Sequence, residues 1–121
     1  MNGKAIKDIL EDIADNRFNT DPYYQQGGDM VHIGGLDYSI DPTANKGKRI
    51  NDMELHGKKI KAGKQYKVAR WASVAKDAKG PAVWDVVADY LRAMKHAKVK
   101  HLNVPKIDNV KGNPGIADEL T

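Results

Sequence analysis

The chain has 121 residues, 40% of them hydrophobic, with a net charge of +4, and this bounds it to one domain with a lean core. It has a single Phe (Phe18), two Trp (Trp71 and Trp84) and no cysteine, which excludes disulfides and thiolate metal sites. No apolar run approaches the roughly 20 residues a membrane span requires.

Met1-Asn2-Gly3-Lys4 leads straight into an amphipathic pattern, with no signal-peptide signature. Ala5, Ile6, Ile9, Leu10, Ile13 and Ala14 recur at helical spacing and predict a helix over residues 4–15. Lys4, Lys7, Asp8, Glu11 and Asp12 fall on its other face, where Lys7 and Glu11 can pair. No capping residue stands out before it, and so abrupt a start suggests a piece of a longer protein. Residues 16–28 read as an irregular loop with a turn at Asp21-Pro22, two tyrosines and Gly27-Gly28.

Met30 to Ile40 reads as a strand whose alternation breaks at Gly34-Gly35, the place for a bulge or a close backbone approach. Asp41-Pro42 ends it, residues 43–48 are turn material, and residues 49–55 alternate as a second strand. His56 to Lys59 forms a tight turn returning through Ile60, and residues 65–72 predict a third strand. After a loop over 73–81, a second helix spans about 82–97, with Val83, Val86, Val87, Tyr90, Leu91 and Met94 on one stripe. Pro81 suits its first turn, and Lys95 and His96 its negative end. Residues 98–104 could add a short strand. The tail over 105–121, with Gly112-Asn113-Pro114-Gly115, lacks periodicity and reads as extended or disordered. The element order implies an α+β domain over residues 1–104, with two main helices and a mostly antiparallel sheet.

The chemistry is sparse. His32, His56, His96 and His101 form no close pair, so no local metal motif exists, and Asp29 and His32 would point to opposite faces of a strand. Ser39 and Ser73 lack a nucleophile-elbow context. Neither Gly pair opens a helix that could cradle phosphate. Acidic residues dominate 8–29 and lysines are scattered from Lys46 onward, a distribution unlike a nucleic-acid surface. The lysines read first as solvated surface and second as a face for an acidic protein or anionic substrate. The aromatics say more. Trp84 in the first turn of the second helix, and Tyr23 and Tyr24 in a Gly-flanked loop, are placed to grip a flat or extended ligand. From pattern alone, however, Trp84 packing against the sheet is the commoner outcome. The residues by themselves favour a binding module over an active site.

Gly3–Glu11, Met30–Tyr38, Asp41-Pro42 and Lys48–Leu55 resemble the C-terminal domain of 5′-nucleotidases. Asp21–Val31, Tyr66–Ala69, Trp71-Ala72, Pro81–Val87 and Lys111–Ile116 look closer still to one branch, the thiosulfohydrolases of sulfur oxidation. The resemblance implies a 5′-nucleotidase C-terminal-domain-like fold, truncated at its N-terminus. It also implies a partner in the same protein: an N-terminal metallophosphoesterase domain holding dinuclear manganese, with no metal or catalytic residue in this chain. The branch implies a periplasmic enzyme that hydrolyses a sulfur-sulfonate group from a carrier protein with a C-terminal cysteine arm, releasing sulfate. In nucleotidases two aromatic residues stack on the base. The matching positions here are Met30 and Trp84, so half of that clamp is missing and a peptide arm fits better than a nucleotide. Tyr24, by contact, and Asp29, by accepting hydrogen bonds, complete the expected substrate-binding set. This chain is thus expected to be inactive alone and to recognise substrate, without nucleic acid or membrane as partner. The alternatives are the C-terminal domain of a periplasmic nucleotide hydrolase and a free-standing interaction module.

Overall fold

A computed structural model describes residues 1–28, 30, 33–69, 80–98 and 101–111. Their order is α1 (Gly3–Phe18), a 3-10 turn (Pro22–Tyr24), β1 (Leu36–Ile40), β2 (Ile50–Leu55), β3 (Lys58–Lys59), α2 (Val83–Met94) and β4 (Lys106–Ile107). The chain divides into two compact units, one of residues 1–66 with 103–121 and one of residues 67–102. The fold is the expected α+β class, its four-stranded sheet ordered β3-β2-β1-β4 and mostly antiparallel. β1 pairs antiparallel with β2 and β2 with β3, while β1 and β4 run parallel.

In the first unit the core follows from two periodicities. Leu36, Tyr38 and Ile40 alternate along β1 and so share one face, and Ile50 lies opposite Ile40 in register. Leu10 and Ala14 of α1 are buried against this set, and Ile6 and Phe18 extend the same four-residue row at half-buried positions. Met30, Ile33, Met53 and Ile60 pack around the edge of the cluster.

Helix α1 is longer than its apolar stripe suggested, and it does have a cap. The Asn2 side chain accepts from the Ala5 N–H at 2.8 Å. Two further first-turn amides find partners outside the helix, Gly3 N–H donating to the Lys64 carbonyl and Lys4 N–H to that of Ala62. Gly3 is required at this approach, because an added Cβ would lie 2.5 Å from the Lys61 carbonyl oxygen.

Of the strand expected over Met30 to Ile40, the described residues form only the last five. Met30 and Ile33 are outside any strand, and Gly34-Gly35 forms a turn with Gly35 at φ +85° rather than a bulge. The irregularity in the ladder falls further along, where Tyr38 of β1 faces Asp52 and Met53 of β2. Asp52 takes φ +49° there, and the Ser39 hydroxyl donates to its carboxylate at 3.1 Å. His56 and Gly57, both at positive φ, close the β2–β3 hairpin in two residues.

The third strand expected over 65–72 is not formed in its described part. Gln65 makes only an isolated bridge with Asn2, and the Tyr66 N–H donates to the Met1 carbonyl, so this segment pairs with the start of α1 instead of the sheet. Residues 70–72 and most of the loop over 73–81 lie outside the described residues. Nor is there a strand in the described part of 98–104. The fourth strand comes later, at Lys106–Ile107, within the segment read as tail. Asn103 stitches it to β1, accepting from the Gly35 N–H and donating to Asp37, both at 2.7 Å. Asn109 continues the seam by donating to Asp41 at 2.6 Å.

In the second unit α2 begins after Ala82, without a side-chain cap and with Pro81 outside it. It stops at Met94, earlier than expected, because Lys95 takes φ +55°, which no continuing helix allows. None of its residues is buried.

Candidate functional site

The loop after α1 is built from short side chains that bond locally. The Asn19 side-chain oxygen accepts from the Asp21 N–H at 2.9 Å, and Asp21 in turn accepts from the Tyr23 N–H at 2.9 Å. Pro22 fixes the first position of the single 3-10 turn that follows. Gln25 donates to the Asn19 carbonyl at 2.6 Å, and the Gly27 N–H reaches back to the Asn16 carbonyl at 3.1 Å. Arg17 donates to the Gly28 carbonyl at 2.8 Å, tying the far end of the loop to the helix. Gly27 and Gly28, at φ +78° and +91°, supply the reversal that this return requires.

The result is a braced loop that displays two rings. Tyr23 is 87% exposed and Tyr24 58%, and their rings meet edge to face at 5.4 Å. Below the loop, Arg49 is buried and spans to the end of α1, donating to Asp15 at 2.6 Å and to the Phe18 carbonyl at 2.9 Å. The Arg49 guanidinium holds the Asp15 carboxyl below its usual range, with smaller help from Asn19 and Lys46 against the opposing effect of burial. Lys46, donating to Asp12 and bridging to Asp15, is held above the usual lysine range by those partners.

The expected site residues are distributed unevenly. Tyr24 is in the exposed pair. Met30 is half-buried and packs on the edge of the core, so part of its side chain is committed to the fold. Asp29 lies outside the described residues. Trp84 is the second residue of α2, in the other unit, and is 71% exposed. Tyr23, read from the sequence with Tyr24 as a gripping ring but left out of the expected substrate-binding set, is the more exposed of the pair. Arg17, the strap on this loop, carried no sequence signal, since a lone arginine at a helix end is ordinary.

Among the described residues no three His, Asp or Glu side chains cluster in a way that could hold a metal ion. The described donors therefore do not fit a metal pair. No helix of the described chain is long and apolar enough to cross a membrane.

The described residues thus place an exposed aromatic pair on a braced loop, in the unit whose sheet packs on α1. Residues 1–89 match the family described as 5′-nucleotidase, C-terminal domain. The chain belongs to this family. This 5′-nucleotidase C-terminal domain is also similar to a solved structure, the sulfate thiohydrolase SoxB of Thermus thermophilus in complex with glycerol. The two share 32% sequence identity with a TM-score of 0.66. That match covers 90% of this chain and 21% of the SoxB chain, so the domain spans about a fifth of that protein. No curated protein matches the chain.

Proposed function

We propose that this domain is the substrate-recognition portion of a SoxB-like thiosulfohydrolase, a periplasmic enzyme that removes a sulfonate group as sulfate from a cysteine-bearing carrier protein. The observation that carries this reading is the 32% identity to SoxB sustained over 90% of the chain. The braced tyrosine pair supports it, because rings fixed on a tied loop offer contact area to an extended peptide arm at little entropic cost. Trp84, exposed at the start of α2, offers a second ring of the same kind. The catalytic metals, expected to be a manganese pair, belong in this reading to an N-terminal metallophosphoesterase domain of the same protein. They would supply an activated hydroxide and neutralise charge on the sulfonate. No reaction step is assigned to the described residues.

A nucleotide hydrolase is the second reading, favoured by the family match itself. Against it stands Met30, a thioether partly tied into the core where the nucleotidase resemblance calls for a stacking ring. The test uses the full-length protein with its carrier in the sulfonated form. Trp84→Ala and Tyr24→Ala are each expected to raise KM for the carrier about tenfold, a loss of about 1.4 kcal/mol in binding, with kcat nearly unchanged. Unchanged carrier kinetics in both variants would remove these rings from recognition. Saturable adenosine binding that is lost in Trp84→Ala would instead favour the nucleotide hydrolase.

A further inference from the structure

The net charge of the chain is not spread evenly over its surface. Lys58, Lys59, Lys61 and Lys64 lie within the hairpin and turn of residues 56–66, a stretch without a single acidic residue. The segment thus carries four positive charges and no negative one, as many as the net charge of the whole chain, +4. Some lysines elsewhere are matched, while others, such as Lys48 and Lys95, have no carboxylate within ion-pair distance among the described residues. Lys4 pairs with Asp8, Lys7 with Glu11, Lys46 with Asp12 and Asp15, and Lys106 with Asp108. Among the described residues none of the four hairpin lysines has a carboxylate within ion-pair distance, although Glu54 stands opposite Lys59 in register.

The backbone under these charges is fixed. Lys64 N–H donates to the Lys61 carbonyl, and the Ala62 and Lys64 carbonyls accept from the first turn of α1. All four lysines are exposed. Lysines at a sheet edge are a common guard against unwanted strand pairing, which accounts for Lys58 and Lys59 on β3. Lys61 and Lys64 lie beyond the strand, and that role does not explain them.

We infer that the segment 56–66 is an electrostatic docking surface for a carboxylate-rich face of a partner protein. Three observations select this occupant over other polyanions. The segment has no arginine, the side chain whose planar fork suits phosphate. Its one tyrosine is occupied, with the Lys64 ammonium 5.5 Å from the Tyr66 centroid and the Tyr66 hydroxyl accepting from the Lys61 N–H, so the His56 imidazole is the one remaining ring it could offer to a base. Its one large aliphatic side chain, Ile60, packs on the core, leaving nothing to insert into a lipid surface. Compact ammonium charges on a rigid turn suit long-range steering of an acidic protein surface. The surface stands independently of which reaction the parent protein performs.

The test measures binding of a fluorescent octaglutamate peptide to the 121-residue chain by anisotropy at low and physiological salt. In the variant K58Q/K59Q/K61Q/K64Q, affinity is expected to fall roughly tenfold or more at low salt, and the salt dependence to flatten. The control K48Q/K95Q/K98Q/K111Q removes the same charge from exposed positions elsewhere and is expected to lose less than about threefold. The smaller variant K61Q/K64Q leaves the β3 edge intact and is expected to lose an intermediate amount, which guards against a folding defect in the first. Equal losses in the two fourfold variants would overturn the proposal, since net charge alone would then account for binding. Tighter binding to phosphatidylserine vesicles or to an oligothymidylate than to octaglutamate would overturn it as well.

Discussion

At the scale of single residues, two charges in α1, one buried and one half-buried, do more for this fold than their sequence context suggests. Glu11 falls on the polar side of the helical pattern, beside Lys7, yet it is buried and its ion pair with Lys7 spans 4.0 Å. Its carboxylate accepts from the backbone N–H groups of Gly47 at 2.8 Å, Arg49 at 3.3 Å and Ile50 at 2.8 Å. Those amides enter β2 and have no ladder partner of their own, so Glu11 replaces the missing strand. Glu11→Ala would leave them unsatisfied and is expected to cost about 3 kcal/mol in urea denaturation, with Glu11→Gln losing less. A loss under about 1 kcal/mol would show that water satisfies the amides equally well. Asp15 gives a pH signature instead. Its folded pKa lies below the ordinary 3.8, chiefly through Arg49, so its contribution is complete above that value. The contribution is lost as pH falls through the lower folded value. Asp15→Asn is therefore expected to be less stable at neutral pH, with Arg49 left buried, and to show a shallower loss between about pH 5 and pH 2. An acid limb as steep as the parent's would assign that loss to other carboxylates.

At the scale of elements, what was legible in the sequence is what local periodicity encodes. The row Ile6, Leu10, Ala14 and Phe18 and the alternation of Leu36, Tyr38 and Ile40 specify α1 and β1, and both are present. A tight turn from His56 was equally readable, although it was read through Lys59 and the chain reverses in two residues, with Lys58–Lys59 already in β3. The errors arise where a distant partner decides. Residues 65–69 alternate well enough for a strand, but Gln65 and Tyr66 at their start pair with Asn2 and Met1 instead. Lys106–Ile107 has no strand pattern worth noticing, yet Asn103 and Asn109 hold it along β1 through side-chain hydrogen bonds that no periodicity reports. The candidate site divides in the same way. Aromatic residues flanked by glycine marked the Tyr23–Tyr24 loop from sequence alone, whereas its brace depends on Arg17 and on Arg49, distant in sequence from the loop. Met30 was assigned by resemblance to a groove, and the core has claimed part of it.

At the scale of the whole molecule, the two units differ in what holds them. Among the described residues the six buried hydrophobic core residues, Leu10, Ala14, Leu36, Tyr38, Ile40 and Ile50, belong to the unit of residues 1–66 and 103–121. In the other unit, α2 buries none of its 12 residues, and Val86, Val87, Tyr90, Leu91 and Met94 are all substantially exposed. A helix of that length draws little stability from its own hydrogen bonds, because nucleation is costly and an isolated helix under about 12–15 residues is marginal in water. Among the described residues its ion pair, Arg92 with Asp89, is exposed on both sides and adds little. Native-state hydrogen exchange on this chain should therefore separate the units. The amides of α1, β1 and β2 are expected to exchange only through global unfolding, with rates that fall together as stability rises. Those of α2 are expected to exchange at least roughly tenfold faster, through a local opening that denaturant hardly accelerates. The Glu11→Ala variant adds a control internal to the molecule. Losing the amide clamp should speed exchange in α1 and β2 while leaving α2 where it was, since the two sets would open independently. Equal protection across α2 and the core, or α2 accelerating in step with β2 in that variant, would show instead that the units unfold as one.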